Sequence, residues 1–184
     1  MGNPSRRDWE TDIYPVPPPM TIDTKREYRA VLTTNQGEMV FQLLPAEAPM
    51  AVNSFVFLAR ERFYEGLWFH RIVEGFLIQG GDPTGRGSGG TGYTFPDEPV
   101  HREYARGTLA MATGRPDANS SQFFVVHRDA NLPKRYTIFG SLQEGFDTLD
   151  RLAAIPVTEG PTGEVSRPAE LAVVQRIEII EDGT

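Results

Sequence analysis

The stretch FHRIVEGFLIQGGD, residues 69–82, decides the fold and the chemistry that the sequence predicts. It contains two short apolar runs on either side of Gly75, as expected of two short strands joined by a turn. Strand alternation predicts that Arg71 shares one face with Phe69 and Val73. A permanent charge on an apolar face is costly unless that face lines a cleft. The alternative is a solvated strand face on which Arg71 pairs with a surface acid.

Apolar runs on both sides of this stretch predict a domain that is mainly β. Residues 28–44 alternate around a turn and predict a β-hairpin, whereas residues 50–62 and 146–154 have helical spacing. The remaining short apolar runs, separated by Gly and Pro, are 67–73, 76–79, 109–112, 122–126, 137–142 and 171–180. About eight short strands, two helices and no alternating βαβ order favour an antiparallel sheet closed or nearly closed on itself and capped by helices.

Composition limits the classes of function. The chain has 184 residues and 39% hydrophobic content, which suits a single domain of ordinary size. Its formal net charge is -7, so nucleic acid and anionic membranes are disfavoured as partners, because both attract basic surfaces. The chain has no cysteine, which excludes disulfides, thiolate catalysis and cysteine-bound metals.

The first 24 residues differ from the rest of the chain. Residues 1–24 carry five prolines, and the Pro17–Pro19 run favours polyproline II structure. We interpret residues 1–24 as a Pro-rich tail, a spacer or surface strap, and residues 25–184 as the folded domain. The opening residues lack the apolar core of a secretory signal, and no apolar run reaches the roughly 18 residues needed for a membrane span, so a cytoplasmic location is expected.

Several familiar site patterns are weak or absent. Residues 85–90 match the G-x-G-x-x-G spacing, but no helix is predicted after them, so a surface loop is favoured over a phosphate-binding loop. The histidines, His70, His101 and His127, are scattered and do not form a metal-binding pair. No G-x-S-x-G nucleophile elbow is present. The residues therefore predict neither a metal nor an organic cofactor.

Taken together, the motifs resemble the cyclophilin-type peptidyl-prolyl isomerases. The resemblance runs from about residue 28 to residue 180. Its signature stretches are 69–72, 75–82, 109–112, 121–124 and 139–140. The resemblance implies a closed eight-stranded antiparallel β-barrel capped by two α-helices. It also implies a groove on the outside of the barrel that binds a proline-containing peptide.

The resemblance also implies a set of site residues. Arg71 corresponds to the catalytic arginine, and Phe76 and Gln79 are the other two residues assigned to catalysis. The residues implied in substrate binding are Leu77, Ala112, Thr113, Gln122, Phe124, Leu132 and Tyr136. The implied proline pocket consists of Phe76, Leu77, Phe124 and Leu132. The implied polar groups beside the peptide are Gln79 and Gln122. Ala112 and Thr113 contact the residue before proline.

Four positions depart from the commonest family pattern. Leu77 stands where many relatives have methionine. Thr113 stands where many members have asparagine, and Tyr136 where many have histidine. Asn131 stands where the cyclosporin-sensitive members have tryptophan, so weak or no cyclosporin binding is expected.

The implied function is peptidyl-prolyl cis-trans isomerisation that assists protein folding. Proline-containing peptides and unfolded chains are the expected partners, a monomer is the default expectation, and no cofactor is needed because the reaction exchanges no proton and forms no covalent intermediate. The alternative is a non-catalytic module that binds proline peptides as an adaptor. A carbohydrate- or nucleotide-binding barrel is disfavoured because no phosphate cradle is recognisable.

Overall fold

The sheet begins with a tight hairpin and grows to eight antiparallel strands in the computed structural model, which describes residues 14–182. The elements are β1 Glu27–Thr34, β2 Gly37–Leu43, α1 Pro49–Arg60, β3 Arg71–Val73, β4 Leu77–Gly80, β5 Thr108–Met111, β6 Phe123–Val126, β7 Ile138–Glu144, α2 Phe146–Ala153, β8 Val157–Glu159, β9 Val165–Pro168 and β10 Val174–Asp182. The strand order of the large sheet is β10-β1-β2-β7-β5-β6-β4-β3. The predicted mainly β architecture with two helices is confirmed.

The sheet curls so that its two edge strands, β10 and β3, approach each other without forming a regular ladder. An isolated bridge between Trp68 and Val173 joins them. The Phe69 N–H donates to the Ala172 carbonyl at 2.9 Å, beside this bridge. Because β3 is only three residues long, the seam is made by the irregular segment before it. The predicted complete closure is therefore slightly overstated, and the molecule is better described as a barrel with one irregular seam.

The same irregular segment corrects one prediction about faces. Phe69 is fully buried in the barrel interior together with Ile72, whereas Arg71 is only partly buried. Regular alternation begins at Arg71, where β3 begins, and does not extend back to Phe69. The prediction that Arg71 and Phe69 share a face is wrong. Arg71 and Val73 lie on the outer face, opposite Ile72.

Helix α1 covers one opening of the barrel. It starts at Pro49, which suits a first helical turn, and the N–H groups of Met50 and Ala51 donate to the Glu98 carboxylate at 2.8 and 2.9 Å. Its Phe55 ring packs edge-on against Phe123 of β6 at a centroid distance of 5.8 Å. A buried aromatic side chain of this kind stabilises the fold by roughly 1.5–3 kcal/mol, so these contacts hold α1 on the sheet.

Helix α2 covers the other end with Leu149 and Leu152, which are both fully buried. Neither helix among residues 14–182 has the length and apolar content that crossing a bilayer would require.

The described part of the tail, residues 14–24, lies against α1. The Asn53 side chain accepts a hydrogen bond from the Thr21 N–H at 2.9 Å and donates to the Pro19 carbonyl at 3.0 Å. Since Asn53 is buried, this bridge fixes the end of the proline run on the helix surface. Residues 1–13, which make up the rest of the predicted tail, lie outside the described residues. The division of the chain after residue 24 stays a prediction.

A second, small sheet formed by β8 and β9 was not predicted from the sequence. These strands pair antiparallel around a turn at residues 160–164. They are short and largely exposed, and the intervening Gly160, Pro161 and Gly163 are more typical of a loop than of a hairpin. Strand β9 packs beside β3, which brings this hairpin to the outer face of the barrel.

Gly145 connects β7 to α2 in a way that only glycine tolerates without strain, and this predicts a specific loss of stability. Its φ is +90°, and a Cβ there would lie 2.2 Å from the Glu38 carbonyl oxygen. We expect Gly145→Ala to lower the free energy of unfolding by about 2 kcal/mol or more. Urea denaturation followed by circular dichroism measures the difference.

Gly114 is the matched control, because a Cβ at Gly114 has no neighbour within 4 Å. Gly114→Ala should stay within about 0.5 kcal/mol of the unmodified protein or become slightly more stable. Equal stability of the two variants would contradict the role assigned to Gly145.

Candidate active site

A single row of paired residues crosses the outer face of the sheet. Arg71 on β3 pairs with Gln79 on β4, Gln79 pairs with Phe124 on β6, and Phe124 pairs with Ala110 on β5. Directly paired residues on neighbouring strands point to the same side. The backbone register therefore places the predicted catalytic arginine, a glutamine and an aromatic ring side by side.

An apolar cluster on this outer face contains the predicted proline pocket. It is separate from the barrel interior, because β6 sends Phe123 and Val125 inward and Phe124 and Val126 outward. The sequence-predicted members that the structure brings together here are Phe76, Leu77, Ala112, Phe124, Leu132 and Tyr136. Sequence reasoning missed other members of the cluster, among them Tyr104, Ala110 and Ile138. Nothing in their local sequence distinguishes them from ordinary core residues.

Tyr104 fixes the far side of this cluster. Its buried hydroxyl donates to the Tyr136 carbonyl at 2.8 Å and accepts a hydrogen bond from the Tyr136 N–H at 3.1 Å. The Tyr136 ring then packs edge-on against Phe124 at a centroid distance of 5.7 Å. These contacts hold the loop that carries Leu132 in place over the strands. The outer apolar cluster is therefore bounded by strand residues on one side and by this loop on the other.

Polar side chains form a chain of hydrogen bonds next to the apolar cluster. Arg71 Nη1 donates to Gln79 Oε1 at 3.3 Å, and Gln79 Nε2 donates to Gln122 Oε1 at 3.0 Å. Gln122 Nε2 in turn donates to the Gly89 carbonyl at 2.9 Å. The guanidinium Cζ of Arg71 lies 6.0 Å from the centre of the Phe76 ring. The predicted polar residues thus lie in contact with one another and beside the predicted pocket.

The two residues expected to contact the position before proline lie at the end of β5. The Ala112 N–H donates to the Gln122 carbonyl at 3.0 Å, which leaves the Ala112 carbonyl as its free backbone group in the described contacts. The Thr113 hydroxyl donates to the Arg115 carbonyl at 2.6 Å, so its proton is used within its own turn. Asn131 is exposed and lies outside the apolar cluster. The peptide contacts assigned to these positions stay predictions.

Arg71 also makes an ion pair that the sequence could not identify. Its Nε donates to Glu164 Oε2 at 2.7 Å and its Nη2 donates to Glu164 Oε1 at 2.8 Å. The hydrogen bonds from Arg71 lower the pKa of Glu164 to about 2 and raise the pKa of Arg71. Both sequence interpretations of Arg71 thus hold in part, because it lines a cleft and pairs with an acid.

A groove of about 710 Å³ lies beside this ion pair. Arg71 and Gln79 form one side, residues 84–87 a second, and residues 160–167 of the β8–β9 hairpin a third. The glycine-rich loop is ordered by a carboxylate, because the N–H groups of Thr84, Gly87 and Gly89 donate to Asp82. Since Asp82 occupies its amides and no helix follows it, this loop does not have the form of a phosphate-binding loop.

His127 supports the turn before Phe76, and the three histidines do not gather around a metal site. His127 Nδ1 accepts a hydrogen bond from the Gly75 N–H at 2.8 Å, so its proton lies on Nε2, which faces Asp150 at 2.9 Å. This arrangement supports the β3–β4 turn just ahead of Phe76. Within residues 14–182, no three His, Asp or Glu side chains lie close enough together to hold a metal ion.

The arrangement combines an outer apolar cluster with a fixed hydrogen-bond donor beside it. A compact apolar ring can be buried against the aromatic and leucine side chains, while the guanidinium presents N–H groups at the pocket edge. The guanidinium stays protonated at any working pH, so its role is to donate hydrogen bonds and not to transfer protons.

Comparison with known proteins identifies the family. The family model described as "Cyclophilin type peptidyl-prolyl cis-trans isomerase/CLD" matches residues 29–179. A "Probable peptidyl-prolyl cis-trans isomerase B" from Mycobacterium tuberculosis is 44% identical over 155 residues, which cover 75% of this chain and 50% of that protein. A "Peptidyl-prolyl cis-trans isomerase-like 1" from Gibberella zeae is 36% identical over 158 residues, which cover 83% of this chain and 94% of that protein.

Solved structures agree with these relatives. A crystal structure of a Cryptosporidium parvum cyclophilin type peptidyl-prolyl cis-trans isomerase, determined in the presence of the dipeptide Ala-Pro, has a TM-score of 0.75 and 35% identity. The match covers 84% of this chain and 99% of the Cryptosporidium parvum chain. The chain spans about half the length of the Mycobacterium tuberculosis relative, since the match covers 50% of it. With its outer-face site and a family match that includes nearly the whole sheet, the chain belongs to the cyclophilin family of peptidyl-prolyl cis-trans isomerases.

Proposed function

We propose that this protein catalyses cis-trans isomerisation of peptide bonds that precede proline. The observation that carries the proposal is the position of the Arg71 guanidinium, 6.0 Å from the Phe76 ring at the edge of the outer apolar cluster. A strong donor and a proline-sized apolar surface are thus adjacent. The half-buried Arg71 is held in place from two sides by Glu164 and Gln79.

The chemistry of the reaction explains why these two features suffice. Rotation about a peptide bond is slow because resonance imposes a barrier of roughly 18–20 kcal/mol. In the twisted state the conjugation is broken, and the prolyl nitrogen carries a lone pair that accepts a hydrogen bond. The planar ground state offers no such acceptor. A donor aimed at this nitrogen therefore stabilises the transition state selectively and lowers the barrier.

Different residues anchor the proline ring and donate the hydrogen bond to the prolyl nitrogen. Phe76, Leu77, Phe124 and Leu132 bury the proline ring and hold it still while the preceding carbonyl rotates. Arg71 supplies the donor. Gln79 and Gln122, joined to each other at 3.0 Å, present amide groups to the peptide backbone next to the ring.

The expected substrates follow from the exposure of the site. The groove beside Arg71 is not lined by Phe76, Leu77, Phe124 or Leu132, but this groove and the outer apolar cluster both lie on the barrel exterior. X-Pro bonds in unfolded or flexible chains can reach this surface, which fits a role in protein folding. The alternative of a non-catalytic adaptor gains no support from the contacts, because a pure binder does not require a transition-state donor beside the pocket. The monomeric state and the cytoplasmic location stay predictions.

Removing the donor tests the proposal. We expect Arg71→Ala to lower kcat/KM by roughly 10²–10³, as for loss of one electrostatic donor. The melting temperature should change little, because the side chains of Arg71 and Glu164 are 30% and 40% exposed. Arg71→Lys should also be poor, since a flexible point charge does not reproduce the planar fork. Exchange NMR or a protease-coupled assay on an X-Pro-Phe peptide measures turnover.

Arg102→Ala provides the matched control for Arg71→Ala. Arg102 makes a two-pronged ion pair with Glu47, but both are exposed and outside the outer-face cluster. Its loss should leave turnover unchanged. Wild-type turnover in Arg71→Ala would overturn the donor role assigned to Arg71. Absence of turnover in the unmodified protein would overturn the proposed function and leave the adaptor alternative.

We further propose that cyclosporin binds weakly, because Asn131 is exposed where sensitive relatives have tryptophan. Asn supplies much less apolar area than an aromatic anchor, whose loss usually costs more than about 2 kcal/mol. Binding should therefore be weaker than in a tryptophan-bearing member by upwards of roughly thirtyfold. Asn131→Trp should strengthen binding, measured by titration calorimetry, while peptide turnover stays within a few fold. Nanomolar binding by the unmodified protein would contradict the assignment of Asn131 to this position.

A further inference from the structure

The β8–β9 hairpin contacts Arg71 through the side chain of Glu164. Glu164 lies immediately before β9, 93 residues beyond Arg71 in the sequence, and binds the guanidinium in two-pronged geometry at 2.7 and 2.8 Å. We propose that Glu164 is the positioning residue for the catalytic Arg71, so that the hairpin is part of the active site. This inference rests on the proposed isomerase function and goes beyond it by naming what aims the donor.

The hydrogen bonds with Glu164 and Gln79 leave part of the guanidinium free to donate to a substrate. An arginine side chain has five N–H groups. Glu164 takes one on Nε and one on Nη2, and Gln79 takes one on Nη1. One N–H on Nη1 and one on Nη2 therefore have no partner among the described contacts. The carboxylate fixes the edge of the guanidinium that carries Nε, while part of the opposite end stays available for the substrate.

Glu164 is itself held by its hairpin. Its carbonyl accepts a hydrogen bond from the Gly160 N–H at 2.7 Å, and the Gly163 N–H donates to the Gly160 carbonyl at 3.0 Å. Buried Ser166 also helps to lower the pKa of the Glu164 carboxyl. A carboxylate on a hydrogen-bonded turn can hold a guanidinium in one orientation. Arg71, by contrast, reaches this contact through a long and flexible side chain.

Positioning matters because an arginine side chain has many rotamers. Arg71 is 30% exposed and borders an open groove. Without Glu164, the one side-chain hydrogen bond left to it among the described contacts would be the 3.3 Å contact with Gln79. Because Glu164 orders the donor in advance, the conformational entropy of the Arg71 side chain does not have to be lost in each catalytic event. The opposite effect is also physically conceivable, since a carboxylate could compete with substrate for the donor. The two effects change kcat in opposite directions.

Glu164→Gln tests the proposal with little change in shape. The amide has one acceptor oxygen, and its NH₂ group cannot accept from the second guanidinium N–H. We expect kcat on an X-Pro-Phe peptide to fall roughly tenfold or more, while KM changes less than threefold, because the apolar pocket is untouched. Glu164→Asp keeps the charge with shorter reach and should give an intermediate kcat. Glu159→Gln, an exposed position on the same hairpin without an ion pair, is the matched control and should behave as the unmodified protein.

Two further readouts report on the contact itself. The Arg71 Nε–H resonance in ¹⁵N NMR should be protected from exchange in the unmodified protein and lose that protection in Glu164→Gln. Stability should also depend on pH in a defined sense, because the folded pKa of Glu164 is lowered from 4.5 to about 2. Its contribution to the unfolding free energy is present above pH 4.5 and is lost as pH falls toward 2. The stability gap between the unmodified protein and Glu164→Gln should therefore close over that range.

A double-mutant comparison separates failure of this inference from failure of the proposed function. If Glu164 acts through Arg71, adding Glu164→Gln to Arg71→Ala should lower kcat no further. An inactive Arg71→Ala alongside a fully active Glu164→Gln overturns the positioning role and leaves the isomerase function intact. A higher kcat in Glu164→Gln also overturns it and identifies the carboxylate as a competitor. A fully active Arg71→Ala overturns the donor role of Arg71, and with it the positioning role of Glu164. An unmodified protein without turnover overturns the proposed function itself.

Discussion

The pairing register of β3, β4 and β6 is the constraint on which the site depends. It aligns Arg71, Gln79 and Phe124 in one row on the outer face of the sheet. Because side chains alternate with a period of two, a slip of one residue would turn these groups into the barrel interior. It would also expose Ile78 and Phe123, which are fully buried. Packing of the interior therefore enforces the geometry of the exterior site.

Burial on both faces of the central strands strengthens this constraint. All four residues of β6 are buried, two against the interior and two under the outer apolar cluster. Strands buried on both sides appear in sequence as continuous apolar runs, not as alternating ones. On the outer side, the loop fixed by Tyr104 and Tyr136 covers the strands and leaves Phe76 partly exposed at its edge. A binding pocket thus arises where this cover is incomplete.

Local patterns predicted much of this molecule, and long-range contacts account for what they missed. The first hairpin and both helices could be inferred from spacing. The residues gathered on the outer face were implied by the resemblance to a known family. Glu164 could not, because it lies 93 residues from its partner in a Gly- and Pro-rich segment without alternation. The seam at Trp68 and the inward position of Phe69 were missed because β3 starts later than its apolar pattern suggests. The local sequence does not show at which residue the pairing between neighbouring strands begins or ends.

The chemistry of the twisted amide is compatible with a carboxylate bound to Arg71, the proposed catalytic cation. Where a transition state develops an oxyanion, a neighbouring carboxylate would oppose the stabilisation that an arginine provides. Amide rotation differs, because the transition state gains a neutral lone pair on nitrogen while the carbonyl oxygen loses negative charge. The demand on Arg71 is then the direction of its N–H groups more than its net charge. Glu164 can reduce the net charge of the pair and still improve the aim of the donor.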